Sequence, residues 1–354
     1  MEKISTVGID LAKSVFQVHA IDAAGQVVLA RAVRRKDFLA LIGKLPPCLI
    51  GREACASSHH WGRLLRGLGH DVRLIPPAYV KAYVRRQKND AADAAAICEA
   101  VSRPSMRFVP IKSEAQQAAL MLHRARALLV SQRTALICAL RSHLAEFGIV
   151  APQGPRNIAP LLTLLAEDDD DSLPALARAA LRPLARRLKG LEDEIAELDR
   201  LLLDWHRGHE LSRRLATIPG VGPLIATALA ASITEPAMFR SGREFAAFLG
   251  LVPRQASSGG KEKLGRISKM GDRYLRTLLV VGAAAVLRHA KAGDSRTRIW
   301  VRGLLEKKPF KLVAVALANK NARIAWAIMT QGGTYRAADW TKADWTKTEA
   351  PMAA

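Results

Sequence analysis

Two carboxylates three residues apart, Asp90 and Asp93 in the run Lys88-Asn89-Asp90-Ala91-Ala92-Asp93-Ala94, lie on one face of any helix that they begin. The flanking AADAAAICEAV is rich in good helix formers and carries Ala92, Ala95, Ala96 and Cys98 as apolar positions, which predicts a helix starting near Asn89 or Asp90. Such a pair has an ordinary use, one acid at the N-cap and one in the first turn, where both favour the helix dipole. Two further acids suggest a chemical one. Asp10 ends the apolar run Val7-Gly8-Ile9, and Glu53 follows Cys48-Leu49-Ile50-Gly51 after a single arginine. A carboxylate closing a buried strand is either a turn residue at the strand's edge or a charge that must be paired or must hold a cation. Asp10, Glu53, Asp90 and Asp93 together offer the hard oxygen ligands that Mg2+ takes, and Mg2+ on a phosphodiester stabilises both the attacking and the leaving oxygen.

The elements that must position these acids are legible around them. Residues 4 to 34 alternate in the manner of strands: ISTVGID, then SVFQVHAID, a turn at Ala23-Ala24-Gly25, and QVVLARAV. DFLALIGKL predicts a short amphipathic helix, Cys48 to Gly51 a buried strand, SHHWGRLLRGL a helix over roughly 58 to 68, and DVRLIPP a further strand. The order β-β-β-α-β-α-β-α describes a mixed sheet with helices packed on it, and ligands of such sheets gather at the C-terminal ends of strands. Asp10 and Glu53 stand at two of those ends.

Charge narrows the function classes. The chain has 54 lysines and arginines against 32 aspartates and glutamates, a net charge of +22 spread along its whole length. That is the footprint of a protein that meets polyphosphate. A membrane-surface protein can share it, but no run of 18 apolar residues exists and MEKISTVGID has no signal-peptide pattern, so a cytoplasmic protein is expected. Aromatic residues make up only 5% while Ala and Leu dominate, which favours long helices over a β-sandwich. Cys48, Cys55, Cys98 and Cys138 lack C-x-x-C spacing and read as small buried apolar residues, neither disulfides nor zinc ligands. His59 and His60 adjoin Cys55, yet neighbouring side chains diverge on a regular element, which argues against a metal cluster there.

From Ile111 to about Phe147, apolar Ala119, Leu122, Ala125, Leu129, Leu136, Leu140 and Leu144 recur at mostly three- and four-residue steps, one long helix. A second covers Pro174 to His206, broken at Pro183, with Leu188, Leu191, Ile195, Leu198 and Leu202 on one face. Paired, the two make an antiparallel helical arm, a coiled coil that serves core packing or dimerisation. Between them Pro152, Gly154, Pro155 and the acidic run Glu167 to Asp171 predict a solvated loop. A short helix at Leu211 to Thr217, a tight turn at Ile218 to Gly222 and a helix at Pro223 to Ile233 read as a helix-hairpin-helix. In that module Gly220 and Gly222 let backbone amides approach a nucleic-acid phosphate; a hairpin used only for packing is the alternative. Farther on, LVPRQASSGGKEKLGRISKMGDRYLR places Ser257 and Ser258 among glycines and among Arg254, Lys261, Lys263, Arg266 and Lys269, which can neutralise phosphate. The same composition suits a flexible linker. The apolar helix DRYLRTLLVVGAAAVLRHA and two basic amphipathic helices follow, and the tail after Gly333, with its repeated ADWTK, predicts little order.

These motifs together carry a resemblance. GIDLAK with Asp10, REA with Glu53, NDAADA with Asp90 and Asp93, IPGVG, and FLGLVPRQASSGG with its SKMG-x-x-x-LR continuation are similar to the DEDD-type insertion-sequence transposases related to the Piv DNA invertase, also described as bridge-RNA-guided recombinases. The likeness extends to about residue 330. It implies that the α/β domain is of the ribonuclease-H/RuvC type, with four acids that bind Mg2+, and that the C-terminal half is a transposase domain; joined to the helix patterns above, the expected division is 1–110, a helical coiled-coil arm over 111–208, a mainly α transposase domain over 209–332 and a disordered tail over 333–354. The resemblance also implies a serine nucleophile, which by position in the S-G element falls on Ser258, and DNA cleavage and exchange through a phosphoserine link. Donor and target DNA, a structured guide RNA and a homo-oligomer, a dimer of dimers, are the partners that it implies. Rival readings are a metal-dependent nuclease using water, a sugar kinase, for which a Gly-rich phosphate loop is missing, and a non-catalytic nucleic-acid-binding protein with structural carboxylates.

Overall fold

The computed structural model describes residues 4–84, 89–167, 172–257, 259–261, 263–291 and 295–336. Ser258, the acidic residues 168–171 and the ADWTK repeats lie outside the described residues. The chain divides into two compact units, Met1–Ala115 and Gln116–Ala354.

The first unit follows the expected order: β1 (Thr6–Leu11), β2 (Val15–Ile21), β3 (Val27–Arg34), α1 (Phe38–Ile42), β4 (Leu49–Glu53), α2 (Ser58–Gly67), β5 (Asp71–Ile75), α3 (Pro77–Val80) and α4 (Asp90–Val101). Its sheet runs β3-β2-β1-β4-β5. Short turns make β1, β2 and β3 an antiparallel meander; in the second turn the Asp22 carboxylate accepts the amides of Ala24 and Gln26 at 2.9 and 2.8 Å. The crossover through α1 then returns the chain parallel, so that β4 pairs with both β1 and β5 in parallel register. One face of the sheet buries Val7, Ile9, Phe16, Phe38, Trp61 and Leu65, with the three aromatic rings edge to face at 4.9 to 5.3 Å. The other face carries α4.

In the second unit the long helices α5 (Glu114–Ala145) and α7 (Ala175–Gly208) flank α6 (Ala159–Ala166). Leu140 and Leu144 of α5, Leu161 and Leu165 of α6, and Leu181 and Leu188 of α7 share one buried cluster. The break expected at Pro183 does not occur: α7 is continuous through it. Pro183 and Ala179, whose carbonyl loses its helical partner, are both exposed to water, and the burial of Leu181 and Leu188 on either side outweighs a proline cost of about 3 kcal/mol. The rest is α8 (Glu210–Leu215), α9 (Pro223–Ser232), α10 (Gly242–Phe248), β6 (Pro253–Gln255), β7 (Leu264–Ile267), α11 (Arg273–Arg288), α12 (Arg296–Leu305) and α13 (Phe310–Gln331), gathered around Leu229, Phe245, Leu279 and Leu317. The stretch after Val252 forms an antiparallel hairpin of β6 with β7, an element that its basic, glycine-rich composition conceals. At the start of the tail, the Tyr335 amide donates to the Thr217 hydroxyl at 2.8 Å and its phenol meets Thr297 at 2.9 Å.

Candidate metal centre

Two glycines decide how closely α4 can approach the sheet. A β-carbon on Gly8 would lie 2.2 Å from the Ala94 carbonyl oxygen, and one on Gly51 would lie 2.6 Å from the β-carbon of Val101. Both strands therefore admit the helix only because a side chain is missing. Side chains alternate along a strand, so Asp10, two residues after Gly8, and Glu53, two after Gly51, project from the face that α4 covers. Register agrees: Ile9 pairs with Arg52, which brings Asp10 and Glu53 to the ends of neighbouring parallel strands.

At the start of α4 the cap is Asn89, whose side chain accepts the Ala92 amide at 2.8 Å. Asp90 therefore occupies the first helical position and not the cap, and Asp93 lies one turn on. The result is a group of three carboxylates: Asp10, Asp90 and Asp93 present oxygens within 4.8 Å of one another. Asp10 and Asp93 are half-buried and Asp90 is exposed, which leaves the group reachable from water. Glu53 shares their sheet face but is not part of that group. Oxygens around one Mg2+ stand about 3.0 Å apart when adjacent and about 4.2 Å when opposite, so the three carboxylates can close on a single hard cation by side-chain movements of up to about 2 Å. The donor set fits such an ion, and among the described residues no histidine or cysteine joins it.

Neighbouring groups give the site its electrostatics. Arg52 is 1% exposed, and burial lowers its guanidinium to about 10, against the raising influence of Cys55 and of the Asp10 carboxylate. Burial raises the Cys55 thiol, which the positive charge of Arg52 pulls back down. Cys48 and Cys98 are buried thiols pushed up to about 11 by burial, as small apolar residues should be, whereas Cys55 and Cys138 are exposed, contrary to expectation. All four are free. His59 braces the fold, its Nδ1 accepting the Lys112 amide at 3.2 Å. Arg52, Gly8 and Gly51 are the site residues that sequence reasoning passed over; glycine inside a strand was the available signal for two of them.

The second unit holds the other candidates. Gly220 has a φ of +86°, and a β-carbon on it would lie 2.8 Å from the Gly282 carbonyl oxygen, so this glycine packs the turn against α11. Gly222 caps α9, with open space where its β-carbon would be. In the hairpin, the Ser257 hydroxyl accepts the Lys263 amide at 3.3 Å, and Arg254 donates to the Ser268 carbonyl at 3.3 Å. Lys261, Lys263 and Arg266 are exposed, and Lys269 adopts a left-handed φ of +56°. Gly259 and Gly260 have φ of +56° and +74° and nothing near their α-carbons' open side, a backbone bend immediately after position 258.

Comparison with known proteins reaches both units. A family model described as a transposase, of the DEDD type of the IS110 group, matches residues 7–149, and one described as the transposase IS116/IS110/IS902 family matches residues 212–298. The chain is 51% identical to "Probable family 20 transposase" of Pseudomonas aeruginosa over 94% of its own length and 99% of that protein. It is 40% identical to "Transposase for insertion sequence element IS1111A" of Coxiella burnetii over 95% of its length and 92% of that protein, and 39% identical to "Transposase for insertion sequence element IS1328" of Yersinia enterocolitica over 95% and 99%. No helix among the described residues is long and apolar enough to cross a membrane. With its carboxylates grouped inside the first matched segment and full-length relatives at this identity, the chain belongs to the IS116/IS110/IS902 family of insertion-sequence transposases, enzymes that cleave and recombine DNA.

Proposed function

We propose that the grouped carboxylates are the Mg2+ centre of a transposase that cuts and rejoins donor and target DNA through a covalent serine link, directed by a structured guide RNA. The observation that carries the metal reading is the convergence of Asp10, Asp90 and Asp93 to within 4.8 Å at the end of the central strand. Glu53, on the same face of the sheet, completes the ligand set. When bound, Mg2+ supplies positive charge to the non-bridging oxygens of the scissile phosphate.

The serine reading rests on Ser258, which in the sequence directly precedes Gly259-Gly260 and stands among Arg254, Lys261, Lys263, Arg266 and Lys269. Its hydroxyl oxygen bonds to phosphorus, the DNA 3′-oxygen leaves and takes up a proton, and the phosphodiester's energy is kept in the new ester, so that no nucleotide is consumed. Ser257, whose hydroxyl accepts the Lys263 amide, is the lesser candidate, because position within the S-G element favours Ser258. Arg254, Lys261, Lys263, Arg266 and Lys269 neutralise backbone phosphates around the hairpin. In the helix-hairpin-helix reading of α8 and α9, Gly222 brings backbone amides to a phosphate, while Gly220 makes the turn possible. The α5 and α7 pair is read as a coiled-coil arm, and the active form as a homo-oligomer.

The test is cleavage of DNA carrying the ends of the cognate element. The reading expects strand breakage that needs Mg2+, stops on chelation and is lost in Asp93→Ala. Breakage that continues in chelator would remove the metal centre from the account.

A further inference from the structure

Arg52 is the bulkiest fully buried side chain among the described residues, at 1% exposure. It stands between Gly51, which lies under α4, and the acid Glu53, and its register partner Ile9 immediately precedes Asp10. Strand alternation sends its side chain to the face opposite the acids, where Nη1 donates to the Ser58 carbonyl at a long 3.5 Å. Its Nε and Nη2 have no hydrogen-bond partner among the described residues. A buried cation with unmet donors is costly, and this one sits at the first residue of α2, where the helix dipole is also positive. An apolar side chain of similar volume would fill the space without that cost, so packing does not account for the charge. Two neighbours favour its charged form, first the Cys55 thiol and then, across the same strand ends, Asp10, one of a group of carboxylates that repel one another.

We propose that Arg52 is a built-in counter-ion of the acid cluster: a positioning residue that keeps Asp10 and its neighbours together in the metal-free protein. By the same positive charge it holds down their affinity for a divalent cation until a phosphodiester adds its own negative charge. Metal loading is thereby coupled to substrate. This inference rests on reading the cluster as a metal centre.

The experiment is calorimetric titration of the full chain with Mg2+ in the absence of nucleic acid, in wild type, Arg52→Met, Arg52→Lys and Asp10→Asn, with melting followed with and without Mg2+. Removing one charge from beside the site should tighten Mg2+ binding by about tenfold or more in Arg52→Met and enlarge the metal-induced rise in melting temperature. Arg52→Lys, which keeps the charge, should stay within about twofold of wild type. If Asp10-dependent binding is equal or weaker in Arg52→Met, the counter-ion proposal falls while the metal centre stands. If no protein shows Asp10-dependent binding, the metal centre itself falls and this proposal with it. Should Arg52→Met not fold without metal, recovery of its fold on adding Mg2+ supports the proposal, and failure to recover at any concentration makes Arg52 a purely structural residue.

Discussion

Gly8 and Ala94 touch backbone to backbone: a β-carbon on Gly8 would stand 2.2 Å from the Ala94 carbonyl oxygen. The helix that supplies Asp90 and Asp93 thus rests directly on the strand that supplies Asp10, and the spacing of the three acids is set by a missing side chain. Gly8→Ala should force α4 outward, lowering stability by about 1–3 kcal/mol or more and abolishing cleavage even where the protein still folds. Thermal melting and a cleavage assay check this together. Wild-type cleavage in Gly8→Ala would mean that the contact does not set the geometry of the acids.

Asp10→Ala, Glu53→Ala and Asp93→Ala should each lose DNA cleavage; metal-free Glu53→Ala and Asp93→Ala should melt at the wild-type temperature or above, because removing one of several like charges relieves repulsion, whereas Asp10→Ala also takes a negative charge from buried Arg52 and should melt lower than those two. Asp90→Ala belongs to the same series: the capping bond is made by Asn89, so the substitution leaves the cap in place. Cleavage at the wild-type rate by any of the four variants would strike that residue from the ligand set.

Much of this was legible in the residues. Asp10 and Glu53 could be placed at strand ends because apolar runs lead into them, and Asp90 and Asp93 could be put on one helical face by spacing alone. Cap and first turn could not be told apart, since Asn89 and Asp90 are both good caps; only the bond from Ala92 to Asn89 settles it. Arg52 was hidden by its type, because an arginine beside an acid at a strand end reads as surface and not as core. The β6–β7 hairpin escaped because its strands are exposed and carry no apolar alternation. Pro183 misled because a local rule met packing on both sides of it that outweighs it.

A buried histidine in α5 predicts a pH effect on the second unit. Thr227 donates its hydroxyl to the Leu224 carbonyl and so accepts from Nε2 of His123 at 3.0 Å, which leaves Nδ1 to accept from the Tyr274 phenol at 3.0 Å. Both ring nitrogens are thereby committed to the neutral form, and burial, with Arg126 nearby, lowers the imidazole from 6.5 to about 4. A base with its folded value lowered contributes its full stability above the unfolded value and loses it as pH falls between the two. Between pH 6.5 and 4 this single group should remove on the order of 3 kcal/mol. Melting from pH 7.5 down to 4 should therefore fall more steeply in wild type than in His123→Gln. Parallel curves would show that His123 does not govern the acid sensitivity.

The net charge of +22 predicts DNA binding that weakens steeply with salt. Displacing counterions from about six to ten phosphates costs on the order of a thousandfold or more in affinity between about 50 and 200 mM salt. A plot of log affinity against log salt should be linear and steep, and replacing Lys261 and Lys263 together by Ala should flatten its slope by about two. A slope near zero in wild type would contradict phosphate binding by the basic hairpin and helices.

The central claim, that the acid cluster drives serine attack on DNA, is tested most directly by trapping the covalent intermediate. A nicked suicide substrate prevents the cut strand from religating, and a denaturing gel followed by mass spectrometry of the protein–DNA peptide locates the link. The account predicts an adduct on Ser258 that forms in wild type with Mg2+ and is missing from Ser258→Ala, although that variant still binds DNA, and from Asp93→Ala. Cleavage by wild type without any adduct would assign the attack to water, and an adduct formed at full yield by Ser258→Ala or by Asp93→Ala would contradict the account outright.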